Sequence, residues 1–516
     1  MTIKRKTAKL FDLNGLNNLG IAITNLVSDS REIKLGDTFV AYAGEEIDRR
    51  KFIPNAIAAG ANAILWDPQG FSWNSVWNIP SLPVPELKVN AGFIASHVYE
   101  NPSRHLWMVG VTGTNGKTSF SHWYAQAMLY LNKKMAIIGT LGNGFYDALA
   151  PTENTTPDAL ILQRLLAGFL QQGADGVVME VSSHGIAQER INGTTFSVAV
   201  LTNLSRDHLD YHQNMDAYAD TKARLFFWPE LKYAVINLDD VLGVELSRQL
   251  KHKMVQTIGY GFKSSEYVNM VKNESVVLGS NLHADMHGIE FDIEYEGSYE
   301  HLKVPVLGKF NAYNLLAVAA TLLASGVPLS KAVQALQHVY AIPGRMEQYT
   351  GNNQVTVIID YAHTPDALEK VLYTLQEMLR SSQQDTSSGA HNALLHCVVG
   401  CGGNRDKGKR AMIGEVATRL ADTVIFTSDN PRNEDPPSIL RDITSGTQKN
   451  NYQIEVDRAL AIYQAIDNAC AGDIVLVAGK GHEKFQEIKG EKIPFSDADV
   501  VCQVLHDIGN KAQVLS

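Results

Sequence analysis

The sequence predicts an α/β protein of three domains, a small N-terminal α/β unit followed by two domains built on parallel sheets, and three observations predict it. The chain has 516 residues, more than one hydrophobic core can serve, so it must divide. Short apolar runs alternate with helical patterns through its middle and again through its last third, which is how parallel strands joined by crossover helices read in a sequence. A polar, proline-marked stretch at residues 99–105 (YENPSRH) and a Pro-Gly linker after a helix-rich stretch, residues 339–344 (VYAIPG), interrupt that alternation. The domains expected are therefore 1–98, 99–341 and 342–516.

In the first domain, GDTFVAYAG and FIPNAIAAGANAILWD, between residues 36 and 67, read as a strand, a loop, an amphipathic helix and a strand. The N-terminus, MTIKRKTAKLFDLNG, carries basic residues with no apolar run behind them, so no secretory signal is expected. No stretch approaches the roughly 20 apolar residues that span a bilayer. A cytoplasmic protein with no membrane insertion is the expectation.

The second domain opens with the apolar strand at 106–111, which feeds a glycine-rich loop and a helix. MAIIGT (135–140), a helical pattern at 157–173, GVVMEVS (176–182) and SVAVLTNL (197–204) continue the alternation, and residues 311–340 are rich in helix signals. A glycine loop between strand and helix makes this a central P-loop ATPase-like parallel-sheet domain. The third domain repeats the pattern with VTVIIDYA, LLHCVVGC, DTVIFTS and DIVLVAG, a doubly wound, Rossmann-like sheet. The polar run SSQQDTSSGAHN (381–392) reads as a surface loop within it.

A net charge of −10 argues against a nucleic-acid partner, since phosphate backbones are bound through clustered Lys and Arg. Small anionic substrates remain compatible with locally basic sites. Cys397, Cys401, Cys470 and Cys502 form no CxxC pair, so neither a zinc site nor a disulfide framework is expected.

The segment Gly113-Thr114-Asn115-Gly116-Lys117-Thr118-Ser119 has what a triphosphate needs. Glycines let backbone N–H groups approach phosphate oxygens, Lys117 supplies a cation, and the Thr118 hydroxyl suits Mg²⁺. The loop departs from the strict GxxxxGK[ST] pattern, with Val111 where the first glycine belongs and Gly110 one residue earlier. Glu180 ends an apolar strand, and His208 lies in TNLSRDHLDYH (202–212) after the next one. Both stand where parallel sheets present ligands, and carboxylate and imidazole suit Mg²⁺ or Mn²⁺. A helix cap or a satisfied loop residue is the alternative for each taken alone. Residues 218–226 read as an ordinary amphipathic helix, whose spacing alone makes Lys222 a solvated surface charge. In the third domain DYAHTPD (360–366), GGNR (402–405), SDNPRNEDP (428–436) and GKGHE (479–483) each follow a strand. Arg432 is the residue of its loop able to fork a carboxylate, though a surface turn with an incidental arginine would look the same.

Taken in order with EVSSHG, YxxxKxxLF, GxFNxxN (308–314) and GRME (344–347), these motifs span most of the chain and resemble the Mur ligases, specifically the MurE type. That family forms amide bonds with ATP in building the peptidoglycan stem peptide. The resemblance implies that this chain adds meso-2,6-diaminopimelate to UDP-N-acetylmuramoyl-L-alanyl-D-glutamate, with Mg²⁺ as cofactor and ATP as co-substrate. It implies Lys117, Lys222 and His208 as catalytic residues. Lys222 would be carbamylated by CO₂ and hold Mg²⁺ together with Thr118, Glu180 and His208. The nucleotide substrate would meet Ser28, Ser30, Asn154, Thr155, Thr156, Ser182, Gln188 and Arg190. Diaminopimelate would meet Arg405, Asp429, Asn430, Pro431, Arg432, Gly479 and Glu483. Diaminopimelate carries a second carboxylate that lysine lacks, and Arg432 would pair with it while Glu483 meets the distal ammonium.

Glu45-Glu46-Ile47 departs from the family pattern by putting two acids near a uridine diphosphate. A monomer whose C-terminal domain closes on its substrates is expected. An L-lysine-adding ligase, a folylpolyglutamate synthase-like ligase and a non-enzymatic nucleotide switch are the alternatives.

Overall fold

The computed structural model describes residues 10–45, 47–263, 275–352, 354–384 and 393–514. Glu46, the basic residues 1–9 and residues 385–392 of the polar run lie outside them; that run begins inside a helix, Pro365–Gln384, rather than in a loop.

Among the described residues, three larger sheets and one two-stranded hairpin organise the chain. The first is small and wholly parallel, its strands Leu26–Val27, Thr38–Ala41, Ala63–Trp66 and Ser81–Pro83 lying side by side in sequence order. Thr38–Ala41 and Ala63–Trp66 are buried on both faces, which explains their unbroken apolar text.

Among the described residues the central sheet has 11 strands. Its core is parallel, running from Ser275–Asp285 through Gln256–Phe262, Tyr233–Asn237, Val198–Leu201, Trp107–Thr112 and Gly176–Glu180 to Met135–Gly139. Antiparallel strands extend it at both edges, Gly288–Tyr295 and Ser298–Val304 on one side, Gly142–Phe145 and Ala148–Ala150 on the other. The predicted alternation located the four parallel strands from Val198–Leu201 to Met135–Gly139; it did not reach Tyr233–Asn237, Gln256–Phe262 or Ser275–Asp285, nor these hairpins, whose half-buried residues alternate instead of running apolar. One face of the sheet packs on the helices Lys117–Tyr130, Lys309–Ala324 and Leu329–Leu336. The opposite face packs on Ala159–Gln171 and Val241–Leu250. Ala159–Gln171 starts where Asp158 accepts from the amides of Leu160 and Ile161, a capping arrangement legible in the PD dipeptide.

The last sheet orders Thr356–Asp360, Ile474–Ala478, Leu395–Val399, Thr423–Phe426 and Tyr452–Ile454 in parallel, with Glu347–Thr350 antiparallel at one edge. Apolar clusters lie on both of its faces, the doubly wound arrangement expected. A two-stranded hairpin, Phe485–Ile488 with Glu491–Pro494, stands apart from it. Cys397 and Cys401 are buried, Cys470 and Cys502 exposed, and all four are free.

Candidate active site

The strand Trp107–Thr112 delivers the chain to a turn that only glycine tolerates at two points. Gly113 has φ +150°, and a Cβ there would lie 1.9 Å from the Thr202 hydroxyl; Gly116 has φ +86°, and its Cβ would lie 2.3 Å from Asn314 Oδ1. The helix Lys117–Tyr130 then begins with no side-chain cap, so its first amides face the loop's hollow. Thr202 Oγ1 donates to the Asn115 carbonyl at 2.6 Å and Asn203 Oδ1 accepts from the Asn115 amide at 3.0 Å, so the neighbouring strand end clamps the loop.

Beside the loop, the fully buried Glu180 carboxylate accepts from Thr118 Oγ1 at 3.2 Å and from the Thr140 amide and hydroxyl, both at 3.0 Å. Gly139 makes room for it, since a Cβ at that position would lie 2.3 Å from Glu180 Oε1. Lys117 donates to the carbonyls of Gly113 at 2.8 Å and Thr114 at 2.9 Å. Lys222 is only 1% exposed and donates to the same Gly113 carbonyl at 2.8 Å, with its ammonium 4.5 Å from the Tyr218 ring centre. The surface lysine that helical spacing alone suggests is thus buried under the loop. Burial lowers the pKa of both lysines, and for Lys222 the neighbouring Lys117 charge lowers it further. His208, at φ +54° and with its side chain 43% exposed, sits 3.3 Å from Asp207; partial desolvation, with the nearby lysine charges, shifts its pKa downward against the pull of that carboxylate.

A cavity of about 800 Å³ opens over this group. Gly116, Lys117, Thr118, Glu180 and His208 line it, and Thr155 and Ser182 join them from the predicted nucleotide-substrate set. Thr156 is buried just behind, its hydroxyl bonded to the Glu180 carbonyl at 2.9 Å and to Ser182 Oγ at 3.0 Å. Arg190 donates to the Thr156 carbonyl at 2.7 Å and Gln188 bonds Arg190, whereas Asn154 is exposed at the rim. Ser28 and Ser30 follow the first strand of the N-terminal sheet and are half-buried outside the cavity lining.

The C-terminal sheet supplies the opposite wall. Arg345 reaches the Thr118 hydroxyl at 3.2 Å and stacks 4.5 Å over Tyr361. Asp366 accepts from Asn115 Nδ2 at 3.3 Å and Ser205 Oγ at 2.9 Å. Neither residue was assigned a role from the sequence, although both lie in quoted motifs, GRME and DYAHTPD. Residues far apart in the chain met there, and spacing along one strand or helix carries no sign of that.

The predicted amine-pocket residues form a second cluster beside this wall. Asn430 Nδ2 donates to Glu483 Oε2 at 2.8 Å, and a Cβ on Gly479, φ +110°, would lie 3.1 Å from Asp429 Oδ2. Arg432 follows the buried Pro431 at φ +51°; its Nε donates to Glu487 Oε2 at 3.0 Å and its Nη1 to the Gly403 carbonyl at 2.8 Å. Arg405 is exposed on the adjoining turn. Sequence reasoning missed Lys480, which is fully buried and donates to Asn430 Oδ1 at 3.0 Å and Glu483 Oε2 at 2.9 Å.

A helix-opening glycine loop with a buried lysine and a carboxylate beside its threonine defines a nucleoside-triphosphate-binding enzyme of the P-loop kind. Family comparison is more specific. The Mur ligase middle domain matches residues 111–322, and the Mur ligase, glutamate ligase domain matches residues 344–481. A UDP-N-acetylmuramoyl-L-alanyl-D-glutamate--2,6-diaminopimelate ligase of Nitrosomonas europaea is 56% identical, covering 97% of this chain and 96% of its own. The ligase of the same description from Chromobacterium violaceum is 46% identical over 96% and 97% of the two chains. A solved structure of a ligase so described is 34% identical, with TM-score 0.65 over 94% of this chain and 95% of its own. The chain belongs to the Mur ligase family.

Proposed function

We propose that the chain is an ATP-dependent ligase that joins meso-2,6-diaminopimelate to UDP-N-acetylmuramoyl-L-alanyl-D-glutamate, a step in peptidoglycan precursor synthesis. The observation that carries the choice of amine is the cluster at the strand ends of the C-terminal sheet, where the Arg432 guanidinium and the Glu483 carboxylate stand in one loop assembly held by Lys480 and Asn430. A guanidinium and a carboxylate together suit an amino acid whose far end is itself zwitterionic. Lysine would bring only an ammonium to the guanidinium. The relatives at 56% and 46% identity carry the same activity in their names.

In the proposed reaction the free carboxylate of the dipeptide attacks the γ-phosphorus of ATP, and ADP leaves as an acyl phosphate forms. The amine of diaminopimelate then adds to the acyl carbon, and the tetrahedral intermediate expels inorganic phosphate and loses a proton. The loop amides and Lys117 hold the β- and γ-phosphates, and Arg345 faces the same place from the other wall. Thr118, Glu180, His208 and a carbamylated Lys222 are the residues to hold Mg²⁺. The 3.2 Å separation of Thr118 Oγ1 from Glu180 Oε2 fits that hard, oxygen-preferring cation, to which His208 would add a nitrogen. Mg²⁺ bound there would neutralise charge on the transferring phosphoryl group.

Phosphate release measured with the nucleotide dipeptide, ATP and either amino acid tests the proposal. Turnover should be fast with meso-diaminopimelate and slow with L-lysine; the reverse order would overturn the choice of amine.

A further inference from the structure

Glu45 lies in the N-terminal domain at the loop whose acidic text departs from the family pattern. Its carboxylate gathers three donors. Lys88 of its own domain reaches Oε1 at 3.2 Å, Tyr211 of the central domain donates to Oε1 at 3.3 Å, and Gln188 Nε2 of the central domain donates to Oε2 at 2.9 Å. The other end of the Gln188 amide faces Arg190, whose Nε and Nη2 donate to Oε1 at 2.9 and 2.6 Å.

This arrangement leaves the Gln188 amide one orientation. A carboxylate only accepts and a guanidinium only donates, so the NH₂ must face Glu45 and the oxygen must face Arg190. Turning the amide over would set oxygen against carboxylate and NH₂ against guanidinium. From Arg190 the chain of bonds continues through Nη1 to the Thr156 carbonyl at 2.7 Å, and from Thr156 Oγ1 to the Glu180 carbonyl at 2.9 Å. The N-terminal domain is thereby tied through one side-chain amide to the rim of the reaction cavity.

We infer that Glu45 is a positioning residue for the nucleotide substrate: it fixes Gln188 from across the domain boundary, and Gln188 in turn aims Arg190 at the substrate. The inference rests on the proposed function, in which Gln188 and Arg190 meet the nucleotide dipeptide. It gives a role to an acid that departs from the family pattern beside a diphosphate. The Glu45 charge is matched by Lys88, and its bonds are spent on ordering the groups the substrate will use.

The test is steady-state phosphate release, with UDP-N-acetylmuramoyl-L-alanyl-D-glutamate, ATP and meso-diaminopimelate varied in turn. Glu45→Ala should raise the KM for the nucleotide dipeptide about tenfold, with kcat and the other two KM values within about twofold. Glu45→Gln, which keeps an acceptor oxygen, should recover most of the loss. In a Gln188→Ala background, Glu45→Ala should add nothing further. An unchanged or lowered nucleotide KM in Glu45→Ala, a rise in all three KM values together, or additive effects in the double variant would each overturn the inference. Gln188→Ala separates the two levels of the argument. If it leaves the nucleotide KM unchanged, the reading of the substrate site fails along with the inference; if it raises that KM while Glu45→Ala does not, the inference fails alone.

Discussion

Lys117 and Lys222 share one acceptor, the Gly113 carbonyl, each with its ammonium 2.8 Å from the oxygen. Two cations converging on one buried point repel each other, and burial already disfavours both charges, so the Lys222 pKa is lowered well below its usual value. A neutral amine is the form that adds to CO₂, and the carbamate that results after proton loss replaces a repelling charge by an attracting one. The buried lysine is therefore primed for the modification proposed for it.

Replacing that amine tests its role. Lys222→Ala should lose nearly all turnover, and formate or acetate should restore part of it by supplying the missing carboxylate. Full activity in the variant would refute the carbamate.

Glu180 depends on a neighbour with no side chain. Because a Cβ at residue 139 would lie 2.3 Å from Glu180 Oε1, Gly139→Ala should displace the carboxylate. The Mg²⁺ concentration for half-maximal activity should rise about tenfold or more, as for other lost supports of a metal ligand. A titration that superimposes on the parent's would show that Glu180 does not hold the ion.

These two cases mark the limits of what the sequence could reveal. The glycine loop, Glu180 and the loops of the C-terminal sheet were legible because each stands at the end of an apolar run, and the parallel strands that could be read were those with unbroken apolar text; Tyr233–Asn237, Gln256–Phe262 and Ser275–Asp285 were not among them. Lys222 read as a surface charge because helical periodicity reports which face is apolar and is silent about which polar residue another element covers. Gly139 read as part of an apolar run, since the carboxylate it makes room for comes from a different strand of the sheet. Arg345 and Asp366 escaped for the same reason, each acting across a domain boundary.

Arg432 is held by Glu487 through Nε and by the Gly403 carbonyl through Nη1. On the proposed reading its Nη2 would bind the distal carboxylate of diaminopimelate. Arg432→Ala should raise the KM for diaminopimelate about tenfold to a hundredfold, the cost of a lost charge-assisted pair, and leave the KM for ATP within about twofold. An unchanged diaminopimelate KM would remove the arginine from the pocket.

Beneath the same loops Arg458 and Asp497 form a fully buried pair, with Nε–Oδ1 at 2.7 Å and Nη2–Oδ2 at 2.8 Å. Arg458 also donates to the carbonyl of Ala478, where the strand before GKGHE ends, at 3.0 Å. Asp497→Ala strands the guanidinium and should lower stability by about 3–5 kcal/mol in urea unfolding. The double replacement Arg458→Met with Asp497→Leu should recover much of it; a single variant as stable as the parent would show the pair to be dispensable.

Glu434 should govern part of the acid limb of stability. The Arg410 guanidinium, bonded to both its oxygens at 2.9 and 3.0 Å, and the Asn404 amide hold its pKa near about 2, against an ordinary 4.5. A carboxyl group depressed on folding stabilises fully above its unfolded pKa and loses that contribution as pH falls through the folded one. The window is thus about pH 4.5 down to about pH 2. Glu434→Gln should be less stable than the parent at neutral pH, with the gap in urea midpoint narrowing through that window. A gap that stays constant with pH would deny the ionic origin.

Arg410, Arg458 and Lys480, all fully buried, hold the loops of the C-terminal sheet from below, while Arg405 and Arg432 stand above them nearer solvent. Foundation and reading head are thus separate sets of side chains. Exchanging an upper residue would leave every bond of the three buried cations in place, so the loops carry their support at a level that substitutions near solvent do not reach.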